Sequence, residues 1–260
     1  MPAPFSPETA ARYILNAHDR RVRYENLPPD IAPTNMDEAY AAQEALAKLL
    51  VPREGLVAGL KIAVATKVMQ ELMGIDRPCG GIIFANRVHQ SPAKVRLADH
   101  MNLVVEFELA VRLGRDLPKS SAPWTGETVK AAIEAVMPAY ELIEDRNAVY
   151  KETNALSIIA DNCWNAGIVT GAPVPFTPAR PLAGIEGRLE INGRDAHHGT
   201  TDDPLATLAW VANLAADRGR PLAAGMVVIT GSVIPTLPIA AGDRFVFRID
   251  GLGETELVAT

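Results

Sequence analysis

The chain contains the segment Val104-Val105-Glu106-Phe107-Glu108-Leu109-Ala110-Val111, whose residue pattern is that of a β-strand. Because successive side chains of a strand point to opposite faces, Glu106 and Glu108 share one face of an otherwise apolar strand. Their carboxylates repel each other in a partly buried setting unless a proton or a cation neutralises them. The segment therefore predicts a cation site on a sheet, although a half-exposed strand with a solvated face gives the same Glu-x-Glu pattern.

A third carboxylate strengthens the metal hypothesis. Glu141 lies in the segment Pro138-Ala139-Tyr140-Glu141-Leu142-Ile143, which is also predicted to form an apolar strand. Three carboxylates with open water positions form a hard-oxygen site that suits Mg²⁺, with Mn²⁺ as the alternative. No neighbouring His-x-x-His or cysteine set indicates zinc. Periodicity does not show whether the two segments are adjacent in space.

The elements around these segments follow from caps, turns and periodicity. Ser6 and Asn35 are predicted to cap two N-terminal helices, and Asp203-Pro204 opens a late one. Asn192-Gly193 predicts a type I′ hairpin, and Gly80-Gly81 predicts a tight turn. Helices are expected over 7–17, 36–50, 129–136 and 204–218, and strands over 57–62, 102–112, 140–143, 189–191, 226–229 and 244–249.

This order of elements predicts a helical N-terminal segment, residues 1–55, against a β-rich catalytic core, residues 56–260, as one structural unit. No repeat, low-complexity tract or long linker separates the two parts. The 260 residues are 48% hydrophobic, which is enough to bury a sizeable core. The formal net charge is −6 and no block of Lys or Arg occurs, which argues against nucleic acid as a partner.

Cysteines and the chain start predict the compartment. Cys79 and Cys163 are far apart and form no Cys-x-x-Cys pair, so buried thiols in a reducing cytosol are expected. The start, Met1-Pro2-Ala3-Pro4-Phe5, lacks the charged and apolar regions of a signal peptide. No apolar segment approaches the roughly 20 residues that a membrane span needs. We therefore expect a cytoplasmic protein with no membrane partner.

Several short motifs occur in a characteristic order from about Asp37 to the C-terminus. They are Asp37-Glu38-Ala39-Tyr40, Gly59-Leu60-Lys61-Ile62, Gly74-Ile75-Asp76-Arg77-Pro78, Glu106-Phe107-Glu108 with Leu113-Gly114-Arg115-Asp116-Leu117, Pro138-Ala139-Tyr140-Glu141, Ala160-Asp161-Asn162, Ile229-Thr230-Gly231-Ser232 and Ala241-Gly242-Asp243. Together they resemble the hydratase/decarboxylase group of the fumarylacetoacetate-hydrolase-like superfamily. That group is typified by 2-oxopent-4-enoate hydratase and 4-oxalocrotonate decarboxylase of aromatic meta-cleavage pathways.

The resemblance implies an α+β fold with a mixed β-roll or β-sandwich core of the fumarylacetoacetate hydrolase C-terminal type. It implies that Glu106, Glu108 and Glu141 bind the metal, and glutamate at 141 favours the hydratase/decarboxylase branch, because the hydrolase branch usually has aspartate there. It also implies a homo-oligomer, with a pathway enzyme as a further partner.

The resemblance assigns three further candidates. Lys61 matches the active-site lysine of the family, whereas Asp76 and Asp161 match acidic positions near the pocket. Without the resemblance, the alternative for Lys61 is a surface lysine beside a strand, which its position between Gly59-Leu60 and Ile62-Ala63-Val64 makes weaker than usual. Asp161 reads equally as a turn-forming or capping residue. All three are taken as candidate catalytic residues.

These parts suit the chemistry of a small 2-oxo acid. Such a substrate chelates a divalent ion through its carboxylate and its adjacent carbonyl oxygen. The ion then acts as a Lewis acid and stabilises the enolate that is needed before water adds to a dienol, or that is left when CO₂ departs. A lysine near that oxygen stabilises developing negative charge or shuttles a proton.

Two departures from the family pattern concern the pocket. Ala63-Val64-Ala65-Thr66 replaces a glycine followed by a Thr-Ser pair, and Cys163-Trp164-Asn165 stands where a small residue and a serine are usual. Trp164 is far larger than serine and offers a single N–H donor. The sequence therefore predicts a retained metal site in a reshaped pocket, with the identity of the 2-oxo acid left open.

Several functions remain open at this point. The leading hypothesis is a lyase that hydrates a 2-hydroxy-2,4-dienoate, and decarboxylation of a related vinylogous 2-oxo diacid is the first alternative. Hydrolysis of a carbon–carbon bond in an acylpyruvate needs a base, usually a His–Glu pair, for which His18 and His89 are available. A non-catalytic or inactive relative is the last alternative, kept because of Trp164.

Overall fold

The computed structural model describes residues 4–260 of the chain. Within that range the helices are α1 (Pro7–Asp19), α2 (Met36–Glu54), α3 (Lys67–Met73), α4 (Gly126–Val129), α5 (Ala155–Ala160) and α6 (Pro204–Asp217). The predicted caps are confirmed, because the side chains of Ser6, Asn35 and Asp203 each accept a hydrogen bond from the backbone N–H three residues later. Helix α2 continues through Pro52 and ends at Glu54, with Gly55 as its C-cap, a few residues later than predicted.

The strands form two sheets. They are β1 (Val57–Ala63), β2 (Cys79–Phe84), β3 (Val88–Gln90), β4 (Ala93–Val95), β5 (Leu103–Leu113), β6 (Ile133–Glu144), β7 (Asn165–Thr170), β8 (Val174–Pro175), β9 (Glu186–Ile191), β10 (Arg194–Thr200), β11 (Val227–Pro238), β12 (Arg244–Ile249) and β13 (Gly253–Ala259). The larger sheet runs β2-β1-β11-β5-β6-β7-β3, with β8 also paired to β6. The smaller sheet runs β10-β9-β12-β13-β4. Parallel and antiparallel pairs both occur, which confirms the predicted α+β class with a mixed β core.

The two faces of the larger sheet have different roles. One face of β5 and β6 packs on the smaller sheet, where the Phe107 ring lies 5.6 Å from that of Phe247 and 5.7 Å from that of Tyr140. The opposite face carries Glu106 and Glu108 as well as small apolar side chains such as Ala110. The alternating side-chain directions predicted for these strands therefore place apolar residues on the face that forms the core and carboxylates on the opposite face.

The helix predicted over 129–136 is wrong. Helix α4 ends at Val129, a 3₁₀ turn follows, and Ile133 begins the long buried strand β6. A short apolar run does not separate a buried strand from a buried helix by periodicity alone, and the pairing of β6 with β5 decides the outcome.

Pro138 lies inside β6 without disrupting the sheet. Its carbonyl accepts the N–H of Gly171 at 2.8 Å, so its nitrogen faces the same side of the strand. On that side β7 has ended at Thr170 and β8 has not begun, which means that the missing proline N–H falls at a gap in the ladder.

The tight turn predicted at Gly80-Gly81 is also wrong, because both glycines lie in β2. Gly81 is paired with Lys61 on β1. A Cβ atom at Gly81 would lie 2.9 Å from the Asn162 carbonyl oxygen and 3.1 Å from Lys61 Cγ. Glycine is therefore required here by the close approach of a lysine side chain and a neighbouring backbone.

The predicted hairpin at Asn192-Gly193 is confirmed. Asn192 has φ 54° and Gly193 has φ 76°, the left-handed values that a type I′ turn needs between β9 and β10. The glycine-rich start of β13, at Gly253, concealed a strand that the sequence pattern did not predict.

The N-terminal helices pack against the core through α5 and β2. Gln43 of α2 is buried, and its amide donates to the carbonyls of Gly80 and Ile159 at 2.8 and 2.9 Å. Leu46 of α2 packs against Ala160 of α5. Among residues 4–260, no helix combines the length and the apolar character needed to cross a bilayer.

Candidate metal centre

The sheet brings Glu106, Glu108 and Glu141 together, and we call this group the glutamate cluster. Glu106 on β5 stands directly opposite Glu141 on β6. One oxygen from each of the three carboxylates lies within 4.8 Å of the others. Glu108 and Glu141 are fully buried, whereas Glu106 is partly exposed. A solvated strand face is therefore excluded for two of the three residues.

Strand β11 supplies a donor to each of the two glutamates of β5. The Thr236 hydroxyl donates to Glu106 Oε1 at 2.6 Å, and the backbone N–H of Gly231 donates to Glu108 Oε2. Irregular pairing between β11 and β5 around Ser232 places these groups beside the carboxylates. One oxygen of each carboxylate is thereby fixed.

Two side chains hold Glu141 Oε1. Lys61 Nζ lies 2.7 Å from it, and Asn165 Nδ2 donates to it at 2.9 Å. Lys61 is 3% exposed, so it is not a surface lysine. Burial lowers the pKa of Lys61, but the negative charge of Glu141 and further charges, including Glu106, outweigh burial and hold that pKa above its usual value. Lys61 therefore forms a buried ion pair with Glu141.

The second oxygens of the buried carboxylates have no partner. No donor from the described residues reaches Glu108 Oε1 or Glu141 Oε2, although both atoms are buried. Burial raises the pKa of Glu141 to about 7, and burial together with the charges of Glu106 and Glu141 raises that of Glu108 well above its usual value. Buried, unpartnered carboxylate oxygens in one cluster are the ligands that a hard divalent cation takes, so the residues fit a metal ion of this kind.

Asp161 is buried but does not belong to the glutamate cluster. It ends α5, and its two oxygens pair with His18 Nε2 at 2.6 Å and with the Arg146 guanidinium. Burial raises the pKa of Asp161, but His18 and Arg146 outweigh burial and lower it below its usual value. The geometry makes Asp161 an anchor that joins α1 to the core.

Asp76 is exposed and far less constrained. It follows α3, its side chain is 79% exposed, and its carboxylate pairs with the neighbouring Arg77 at 2.8 Å. Among the residues that the structure describes, it shares no hydrogen bond or ion pair with Lys61 or the glutamate cluster. The resemblance placed Asp76 near the pocket, and the structure does not bring it to the carboxylates.

Trp164 belongs to an aromatic wall made of Tyr24, Trp164 and Tyr150. The Trp164 ring packs edge-on, 4.8 Å from Tyr24 and 5.5 Å from Tyr150. Burial and Asp145 raise the pKa of Tyr150, Glu106 raises it further, and Lys61 lowers it. Tyr150 is 39% exposed, so one end of the wall is accessible to solvent.

The turn before β7 positions this wall. Asn162, Cys163 and Trp164 have φ values of 52°, 48° and 58°, three left-handed residues in succession, a conformation that asparagine adopts more readily than cysteine or tryptophan does. The Asn162 side chain holds the turn to β2, since it exchanges hydrogen bonds with the backbone of Ile82 at 2.7 and 2.8 Å. Cys79 and Cys163 are both buried free thiols, as the sequence predicted. Their Sγ atoms lie 3.8 Å apart, a proximity that the sequence did not indicate.

A cavity of about 510 Å³ lies between the N-terminal helices and the sheet, and it is lined by residues that include His18, Asp161, Trp164 and Asn165. Asn165 connects this cavity with Glu141. Neither His18 nor the exposed His89 is hydrogen-bonded to a glutamate within residues 4–260. The histidine–glutamate pair of the hydrolase hypothesis is therefore not formed by these two residues.

Sequence reasoning missed three residues of the site. Asn165 was noted only as a departure from a motif, Gly231 only as part of one, and Thr236 not at all. Each of these residues reaches a carboxylate only because of how β7 or β11 is aligned with its neighbouring strand. Both strands pair irregularly, so this alignment cannot be predicted from the periodicity of the sequence.

Comparisons with known proteins show what the chain is similar to. The chain matches the fumarylacetoacetate (FAA) hydrolase C-terminal family over residues 73–258. It is 31% identical to TodF product hydratase of Pseudomonas putida over 86% of this chain and 84% of that protein. It is 30% identical to 2-keto-4-pentenoate hydratase 1 of Dechloromonas aromatica over 95% of each chain.

One solved structure shows the same fold along almost the whole chain. 4-Oxalocrotonate decarboxylase from Pseudomonas putida G7 superposes with a TM-score of 0.89 at 24% identity, covering 98% of this chain and 97% of that chain. The shared fold, the matched family region and the two hydratase relatives lead to one assignment. The chain belongs to the fumarylacetoacetate hydrolase C-terminal family.

Proposed function

We propose that this protein is a divalent-metal-dependent lyase that adds water to a 2-hydroxy-2,4-dienoate, giving a 4-hydroxy-2-oxo acid. The observation that carries the proposal is the glutamate cluster, which has unpartnered buried oxygens beside the buried ammonium of Lys61. The names of the two hydratase relatives support the same reaction.

Glu106, Glu108 and Glu141 would hold the cation, and we propose Mg²⁺ with Mn²⁺ as a substitute. The solved decarboxylase is described as a complex with magnesium, which supports this choice. When bound, such an ion supplies Lewis-acid stabilisation for the oxygens of a 2-oxo acid. The protein fixes one oxygen of each carboxylate through Thr236, the Gly231 N–H and the pair of donors on Glu141.

Lys61 is the proposed catalytic residue of the chain itself. Its ammonium is buried at the cluster and stays protonated because Glu141 holds its pKa up. It can donate a proton from Nζ, or place positive charge beside an oxygen on which negative charge develops. Gly81 keeps the space that the lysine side chain occupies.

The two aspartates have different support. Asp161 is proposed as a positioning residue, since both its oxygens are taken by His18 and Arg146. Asp76 is a candidate from the family resemblance, and its exposed carboxylate contributes nothing to the glutamate cluster in this conformation.

Decarboxylation of a vinylogous 2-oxo diacid is the second candidate, because the fold is shared with 4-oxalocrotonate decarboxylase. Hydration of a monoacid stays the first candidate, because the two buried cations, Lys61 and Arg146, are paired with Glu141 and Asp161 and so are not free for the second carboxylate of a diacid. The hydrolase alternative lacks the paired histidine, and an inactive relative remains one outcome of the assay described next.

The test is ultraviolet turnover of freshly generated 2-hydroxypenta-2,4-dienoate and of 2-oxohex-3-enedioate, each with Mg²⁺, Mn²⁺ or EDTA. We expect metal-dependent loss of the dienoate chromophore, with 4-hydroxy-2-oxopentanoate as the product. If only 2-oxohex-3-enedioate reacted, with release of CO₂, the proposed activity would be decarboxylation and not hydration. No turnover of either compound by a metal-binding protein would overturn the lyase proposal.

We further propose that the protein is cytoplasmic and forms a homo-oligomer, with a pathway enzyme as a further partner. The support is the family assignment. Light scattering of the purified protein tests the oligomer, and a monomer at assay concentration would overturn it.

A further inference from the structure

Glu141 differs from the other two members of the glutamate cluster in how it is held. Its Oε1 receives two side-chain donors, Lys61 Nζ at 2.7 Å and Asn165 Nδ2 at 2.9 Å, whereas its Oε2 is buried without a partner. The Lys61 ammonium can transfer a proton in a reaction. The other donor is an amide, which does not ionise and stays a donor.

A β-bulge is the reason that Asn165 reaches Glu141. Across β6 and β7, Glu141 pairs with Ile168 and Leu142 with Gly167, but Ile143 pairs with Asn165, so one residue of β7 is passed over. In an uninterrupted ladder, Ile143 would be opposite Ala166, and Asn165 would point to the other face of the sheet. The extra residue reverses that orientation and aims the amide at the glutamate face.

We propose that Asn165 is a positioning residue of the metal centre. It holds Glu141 Oε1 so that Oε2 stays available to the cation, including when Lys61 leaves Oε1 to act on substrate. This inference rests on the proposed function for the role of Lys61, but the effect of Asn165 on metal affinity does not depend on any substrate. Residues that orient metal ligands typically change metal affinity by about 10- to 100-fold when they are removed.

The first experiment measures the Kd of the full-length protein for Mn²⁺ alone, with free Mn²⁺ quantified by electron paramagnetic resonance. Asn165→Ala should bind Mn²⁺ about tenfold more weakly than wild type, with an unchanged circular dichroism spectrum. The matched control is Asn213→Ala. The Asn213 side chain makes two hydrogen bonds with the backbone of Trp124, at 2.7 and 2.9 Å, and contributes nothing to the glutamate cluster. Wild-type Mn²⁺ affinity in Asn165→Ala, or an equal loss in both variants, would overturn the proposal.

The second experiment separates Asn165 from Lys61 with a double-mutant cycle on the same Kd. If both donors hold one oxygen, Lys61→Met with Asn165→Ala should weaken Mn²⁺ binding by clearly more than the product of the two single changes. Effects that multiply without coupling would overturn the shared-oxygen argument. Because no substrate is present, failure of dienoate turnover leaves these results standing, and wild-type Mn²⁺ binding by Asn165→Ala would leave the lyase proposal standing.

Discussion

Glu106 and Glu141 stand directly opposite each other on the antiparallel strands β5 and β6. Like charges at such a position destabilise a sheet, and burial of Glu141 adds to the cost. The fold tolerates the pair because Lys61 neutralises one charge and because a cation can neutralise more. The first prediction follows from the repulsion between these two carboxylates.

A divalent cation should stabilise the folded protein. At a concentration about one hundred times its Kd, a ligand that binds only the native state adds about 2.7 kcal/mol to the free energy of unfolding. We therefore expect Mg²⁺ or Mn²⁺ to raise the Tm by several degrees over the protein in EDTA, measured by scanning calorimetry. An equal rise on adding Na⁺ at matched ionic strength would contradict a specific site.

Glu106→Gln should lose metal binding and turnover together. The amide keeps the size of the side chain but removes a charge and weakens the oxygen ligand. We expect at least a tenfold higher Kd for Mn²⁺, of the order seen when metal-site partners are removed, about 10- to 100-fold. Glu134→Gln is a suitable control, because Glu134 is exposed and pairs with Arg112. Turnover by Glu106→Gln at the wild-type rate would refute the metal-centred mechanism.

Lys61→Ala should retain the metal and lose the rate. Removal of a cation next to the glutamate cluster does not weaken its attraction for Mn²⁺, whereas loss of a positioned proton donor typically costs about 10²- to 10⁴-fold in rate. Mn²⁺ binding and kcat, measured on the same preparation, should therefore separate. A parallel fall of metal occupancy and kcat would indicate that Lys61 acts only as a support for Glu141.

Asp161→Asn should destabilise the fold. Truncating one partner of a buried ion pair costs about 3–5 kcal/mol, since the buried Arg146 guanidinium keeps an uncompensated charge. Because the folded pKa of Asp161 is depressed, its contribution is present above the unfolded pKa, about 3.9, and is lost as pH falls through the folded value. Urea midpoints of both proteins should thus converge at low pH. A constant difference from neutral to strongly acidic pH would rule out this linkage.

Gly81→Ala should impair activity while the protein still folds. The new methyl group would lie 2.9 Å from the Asn162 carbonyl oxygen and 3.1 Å from Lys61 Cγ, so either the strained turn or the lysine must move. Gly126→Ala is the matched control, since its Cβ atom meets nothing closer than 3.5 Å. We expect a lower kcat for Gly81→Ala alone, and equal activity of both variants would contradict the crowding argument.

The shared face of two members of the glutamate cluster could be predicted because the alternation of side chains in a strand is local. Glu106 and Glu108 follow from two-residue periodicity, and the helix caps at Ser6 and Asp203 follow from side chains that reach three residues along the chain. The placement of Glu141 beside Glu106 and Glu108 could be expected only from the family resemblance, because neither segment alone determines how two strands align.

The errors share a non-local cause. The helix expected over 129–136 became a strand because β5 offered a partner for the apolar run that begins at Ile133. Gly80-Gly81 indicated a turn by composition, whereas the close approach of Lys61 explains the glycine at 81. Asn165 escaped notice because a bulge reverses its face, and a bulge leaves no periodic signal.

The bulge in β7 has an evolutionary consequence. Loss of Ala166, the residue that the ladder passes over, would make β7 regular and would leave Asn165 opposite Ile143, on the face of Glu141. Loss of the bulge at the present chain length would instead place Ala166 opposite Ile143 and turn Asn165 to the other face, while the carboxylates on β5 and β6 stayed where they are. The register of β7 therefore decides which side chain touches Glu141 without any change in the glutamates.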